Sequence, residues 1–188
     1  MGPLVEMIGP ILNGLYDPLP SSIQQFLDCH ERVLYVAFGQ HATAKPQEAT
    51  RLLVELLQFL ENGLIDGFLW ATGRSIAGLP DTVMTASGHV YRVQDLRSLA
   101  KATTSGNDMY SANNHTVANH HDGQLLDWAP QLAILQHTAI ITFLSHGGGM
   151  SLIEAFYTGK RTVIKPFFGI NLHTYSFLSA NNWEAALI

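Results

Sequence analysis

The stretch FLSHGGGMSLIEAFYTGK, residues 143–160, brings a histidine, three glycines, a serine and a glutamate to one junction. A short apolar run stops at His146, the glycines Gly147, Gly148 and Gly149 follow, and a helix-like pattern then carries Ser151 and Glu154. Glycines let a ligand approach the backbone closely. The first N–H groups of a helix, reinforced by its dipole, favour an anion such as phosphate. His146 and Ser151 can add donors to the same oxygens, and Glu154 offers acceptor oxygens that suit a ribose diol. The same residue types also fit a glycine-rich strand-to-helix turn that only packs tightly. Leu152 stands where the last glycine of GxGxxG would fall, and no Gly-Lys-Ser/Thr follows as in a P-loop.

The elements that must hold this junction can be read on both sides of it. RVLYVAFG, residues 32–39, and DGFLWATG, residues 66–73, are compact apolar runs ended by glycine, and both predict buried strands. Between them Leu52, Leu53, Leu56, Leu57 and Leu60 fall on one helical face, with Gly63 as the stop. SSIQQFLDC predicts an earlier helix capped by Ser22. From Ile76 to Gln124 the pattern weakens, and 80–123 reads as a loop insertion. Alternation then resumes: QLLDW as strand, PQLAILQH as helix, AIITFLS as strand, GGMSLIEAFYTG as helix, RTVIKPF as strand and NLHTYSFLSANN as helix. Uninterrupted apolar strands alternating with helices predict an α/β domain, a parallel sheet with helices on both faces. Ligands of such sheets bind beyond the carboxyl ends of the strands, where HGGG lies.

Composition narrows the function. The chain has 188 residues, 47% hydrophobic and only 13% charged, against a usual charged share of about 25%. Its net charge is −5, with no Lys/Arg cluster, so it does not read as a nucleic-acid binder. Cys29 is the only cysteine, which excludes an internal disulfide and a cysteine zinc site. The start lacks the features of a signal peptide and no stretch is long enough to span a bilayer, so a soluble, cytoplasmic chain is expected. His115, His120 and His121 lack a ligand geometry for a metal and read as a solvated loop. Ser145 precedes His146 but lacks the G-x-S-x-G elbow of a hydrolase. Lys160 and Arg161, at a helix end, read as partners of its dipole.

The wider run from Trp128 to Gly169, WAPQLAILQHTAIITFLSHGGGMSLIEAFYTGKRTVIKPFFG, resembles the donor-binding signature of the UDP-sugar-dependent glycosyltransferases. IGPIL, RVLYVAFG and FLWATGR upstream look like the same family, and the insertion and EAFYTGKR look most like its fungal members. The resemblance implies a Rossmann-like sheet forming the C-terminal half of a GT-B fold. In it, residues 1–22 would be an interdomain-linker-like lead-in. Residues 23–188 would be a nucleotide-sugar donor-binding domain, incomplete at its C-terminus.

Carried over by position, the resemblance implies that Trp128 stacks on uracil and the Ala129 backbone reads the base edge. Gln131 would lie near base and ribose. His146, Gly148, Gly149 and Ser151 would meet the diphosphate, and Glu154 the ribose hydroxyls. The donor substrate is a UDP-sugar, and no cofactor or metal is implied. The implied reaction is inverting transfer of a hexosyl group to an acceptor hydroxyl.

Two departures bear on that reading. The family's Asp-Gln pair, which contacts the sugar hydroxyls, falls on Ile170 and Asn171. The catalytic base of such enzymes belongs to a separate acceptor-binding domain, so this chain is expected to hold no catalytic residue and to be inactive without that domain. A non-catalytic UDP or UDP-sugar binding module or a degenerate fragment is the alternative.

Overall fold

A computed structural model describes residues 16–39, 44–97, 122–165 and 185–187, with backbone alone at 74–76 and 185–187. Strands β1 (Val33–Ala37), β2 (Gly67–Ala71), β5 (Gly123–Leu126), β6 (Ile140–Ser145), β7 (Arg161–Ile164) and β8 (Ala185–Leu187) form one sheet. Its order is β5-β2-β1-β6-β7-β8, and every pairing is parallel. The chain builds outward from β1 to β5, then returns to lay β6 on the other side of β1. The order therefore reverses between β1 and β6, the switch point at which open α/β sheets form a crevice.

Alternating side chains divide the core into two layers. On one face Val36, Phe68, Trp70, Leu125 and Leu144 pack under helix α2 (Pro46–Glu61), which presents Leu52, Leu53, Leu56 and Leu57. Burying each of these leucines contributes about 1.5–3 kcal/mol. On the other face Tyr35, Ala37, Leu69 and Phe143 pack under α1 (Ser21–Asp28), α3 (Gln131–Gln136) and α4 (Gly149–Tyr157). Helices thus cover both faces, as the sequence pattern predicts. Among the described residues no helix is long and apolar enough to cross a membrane.

Four local features differ from the sequence reading or add to it. Helix α1 begins at Ser21 with Pro20 as N-cap, and the Gln24 N–H donates to the Pro20 carbonyl at 2.9 Å; no hydroxyl caps it, so Ser22 lies inside the helix. A 3₁₀ turn (Gly73–Gly78) and a two-stranded antiparallel hairpin, β3 (Thr82–Met84) and β4 (Val90–Arg92), occupy the stretch where the pattern faded. Glu61, at the end of α2, holds this hairpin by accepting from Thr85 at 2.8 Å, Tyr91 at 2.9 Å and Ser87 at 2.9 Å. Lys160 does not serve the end of its own helix: its Nζ donates to the carbonyl of His137, the C-cap of α3, at 2.8 Å, and Arg161 opens β7.

Candidate functional site

The register of the sheet places Leu126, Ala71, Ala37, Ser145 and Ile164 in one row along its carboxyl edge. The loops after them consequently emerge side by side. Between them lies a cleft of about 670 Å³, lined on the β5 side by Asp127 and Trp128 and on the α4 side by Met150, Ser151 and Glu154. Ala129 and Gln131 close it from the start of α3, and Tyr35, Ala37 and Gly39 form its floor.

Each wall has a physical cause. Trp128 sits in the short turn from β5 into α3 and is 63% exposed, so a large aromatic face is left open on the cleft rather than buried. Ala129 beside it is buried. Gln131, the first residue of α3, donates its side-chain amide to a Glu154 carboxylate oxygen at 2.5 Å, which ties α3 to α4 across the cleft. Glycine at position 148 leaves the α4 N-terminus with no side-chain cap and its first turn holds no acidic residue. The N–H groups there are thus open to an anion.

The glycines of the HGGG run have distinct reasons. Gly147 adopts φ +83°, in the left-handed region, and its N–H donates to the Ser145 hydroxyl at 3.2 Å, closing the turn at the strand end. A Cβ on Gly148 would clash with the edge of the His146 ring, 2.3 Å from its Nε2, and a Cβ on Gly39, in the loop after β1, would lie 3.1 Å from its Cε1. The imidazole is therefore seated between two glycines that come from either side of the switch point. Burial pushes the His146 pKa below its ordinary value, so the ring is neutral at physiological pH.

Trp128, Ala129, Gln131, Ser151 and Glu154 are thus brought to one cleft. His146, Gly148 and Gly149 do not line it: the His146 ring lies behind Gly39, which does, and Gly148 and Gly149 form the start of α4 just before Met150 and Ser151. Ile170, Asn171 and the histidines 115, 120 and 121 lie outside the described residues. Sequence reading did not single out Tyr35, Ala37 or Asp127 as cleft residues; the period-two parity of β1, with Tyr35 and Ala37 on one face, was the available signal. Two further cavities flank the hairpin, lined by Asp81, Arg92 and Asp95 in one and by Pro46, Thr50 and Arg51 in the other. Arg92 is paired with Asp95 at 3.4 Å and Arg51 with Glu55 at 3.8 Å. Neither cavity lies at the carboxyl edge of the main sheet.

The sheet order and the cleft at its switch point define a doubly wound, Rossmann-type α/β domain. Residues 106–181 match the family described as UDP-glucoronosyl and UDP-glucosyl transferase. A UDP-glycosyltransferase of Talaromyces amestolkiae is 34% identical over 173 residues, covering 90% of this chain and 30% of that protein. The UDP-glycosyltransferase stmC of Aspergillus ustus is 33% identical over 174 residues, with the same two coverages. The fold matches a UDP-glucose: anthocyanidin 3-O-glucosyltransferase solved in complex with UDP, at TM-score 0.60 and 21% identity, over 93% of this chain and 31% of that one. It also matches Phytolacca americana UGT2, solved with UDP-2fluoro-glucose and pterostilbene, at TM-score 0.60 and 23% identity, over 96% and 33% of the two chains. The chain belongs to the UDP-glycosyltransferase family and has the Rossmann-like fold of its GT-B members. It spans about 30% of the length of these curated relatives.

Proposed function

We propose that this chain is the UDP-sugar-binding part of an inverting glycosyltransferase that transfers a hexosyl group from a UDP-sugar to an acceptor hydroxyl. The observation that carries the reading is the seating of His146 at the switch point, with an uncapped helix N-terminus beside it and Trp128 and Glu154 across the same cleft. Uracil stacks on Trp128 with its edge read by the Ala129 backbone. The ribose meets Glu154, which Gln131 holds in place. The diphosphate meets His146, Ser151 and the backbone of Gly148 and Gly149.

The chemistry of the reading is stabilisation of a leaving group. As the bond from the anomeric carbon to the UDP oxygen breaks, negative charge grows on the diphosphate, where the neutral His146 donor and the α4 N–H groups stand ready. These groups need no metal or cofactor to act. Deprotonation of the acceptor belongs to a separate acceptor-binding domain, so this chain alone is inactive. We place it in a reducing, cytoplasmic compartment, which a single cysteine, Cys29, suits.

Titration of UDP into the chain by calorimetry, with GDP as control, tests the reading. Heat from UDP and none from GDP is the expected result; equal heats or none contradict it. A second reading, a non-catalytic UDP-binding module, is favoured by Ile170, whose side chain cannot accept a hydrogen bond from a sugar hydroxyl. UDP-glucose binding more tightly than UDP shows that Ile170 has not abolished sugar recognition and removes this support.

A further inference from the structure

We infer that the hydroxyl of Tyr35 is a ribose-recognition group, donating to the same nucleotide hydroxyl that donates to Glu154. The inference rests on the donor-site reading above and adds to it a residue outside the donor-binding run from Trp128 to Gly169.

Tyr35 is the third residue of β1, one of the two strands that flank the switch point. Its side chain is 1% exposed, yet it lines the floor of the cleft together with Glu154 and Gln131. Its ring is fixed from the side: it stacks on Phe143, its register partner on β6, with centroids 5.3 Å apart and an interplanar angle of 16°. Among the described residues the phenol makes no hydrogen bond. A buried hydroxyl is normally paired, so one left open at the floor of a cleft is a group kept for a ligand. Burial first, and the Glu154 carboxylate second, push its pKa well up, so it is a neutral donor at any physiological pH.

The chemistry selects the ligand atom. Glu154 can only accept, and Gln131 already occupies one of its oxygens. A group that satisfies both Glu154 and Tyr35 must donate to the first and accept from the second. A carbonyl oxygen cannot donate and is repelled by the carboxylate, whereas a sugar hydroxyl does both. Ribose is thereby distinguished from deoxyribose by a donor and an acceptor at once, and losing the hydroxyl leaves both partners unsatisfied.

The test is a calorimetric series with UDP, 2′-deoxy-UDP and 3′-deoxy-UDP on the wild-type chain and Tyr35→Phe, with thermal melts on both. Phenylalanine keeps the stack on Phe143 and removes one oxygen. Tyr35→Phe is expected to weaken UDP about 3- to 10-fold, with the deficit vanishing for one of the two deoxy nucleotides, as for a single hydrogen bond. A wild-type chain that binds UDP and a folded Tyr35→Phe that binds it equally well, or that loses the same factor for all three nucleotides, overturns the Tyr35 role alone. A wild-type chain that does not bind UDP overturns the donor-site reading and this inference with it. Wild-type protein labelled at the tyrosine ¹³Cζ gives a reading that needs no variant. One phenol signal should move with UDP and not with the deoxy nucleotide that binds without it; no signal moving with UDP overturns the inference.

Discussion

Gln131 and Glu154 are 23 residues apart in sequence and share a side-chain hydrogen bond of 2.5 Å that joins the start of α3 to α4. It fixes the carboxylate on one side of the cleft before any ligand arrives, and an oriented carboxylate loses little freedom on binding. Glu154→Ala should weaken UDP binding about 10- to 100-fold, the scale of a hydrogen bond to a charged group. Gln131→Ala, which leaves the carboxylate in place but loose, should cost about 3- to 10-fold. Calorimetry on the two variants and their double mutant checks this, and the double mutant should be little worse than Glu154→Ala.

Gly148→Ala should damage the site by steric means. Its backbone, at φ −66°, accepts alanine, but the methyl would collide with the His146 ring. Overpacking of this kind costs about 1–3 kcal/mol, and displacement of the ring should weaken UDP more than 10-fold. Gly63→Ala is the matched control. Gly63 ends α2 at φ +64° with open space where a Cβ would go, so the variant should lose about 1 kcal/mol of stability while UDP affinity stays within twofold. Chemical denaturation and calorimetry separate the two cases.

These two sites show what was legible in the sequence. The strands, α2 and its Gly63 stop, and the junction at His146 could be read because apolar periodicity and glycine position are local signals. The seating of His146 could not, since Gly39 is 107 positions away and meets the ring only after β6 is laid beside β1. The hairpin at 82–92 was invisible for a related reason. Its strands have three residues each, and a polar hub on a distant helix holds them. Ser22 failed as a cap because the Pro20 carbonyl already anchors the first turn. Lys160 failed as a partner of its own helix because tertiary packing offered it the end of α3.

Protonation of His146 should follow the ligand. Burial lowers its pKa in the free chain, and a diphosphate alongside raises it, so the complex binds more protons than its parts. UDP-glucose affinity should therefore rise as pH falls from 7 towards 5.5. UDP-glucose is the better probe because the terminal phosphate of UDP itself titrates near about pH 6. Calorimetry at pH 6 in buffers of different ionisation enthalpy should report proton uptake, and His146→Asn should abolish it.

The Glu61 hub sets a second pH dependence, this one in stability. Burial pushes its carboxyl up, but hydrogen bonds from Thr85, Tyr91, Ser87 and His89 together hold it below its ordinary value, and its side chain is only 15% exposed. A depressed carboxyl stabilises the fold fully above its unfolded value, near 4.5, and that contribution is lost as pH falls through the lower folded value. Glu61→Gln should be less stable than wild type at pH 7 by about 1–2 kcal/mol. The gap should narrow as pH is lowered below 4.5, as measured by urea denaturation across that range.

The most direct test of the central claim is a crystal structure of the chain with UDP bound. The account predicts the uracil ring against Trp128, the ribose hydroxyls at Glu154, and the diphosphate between His146 and the first turn of α4. A nucleotide seated anywhere else, such as the cavity between Asp81 and Arg92, or one in the cleft with its phosphates turned away from His146, would contradict it.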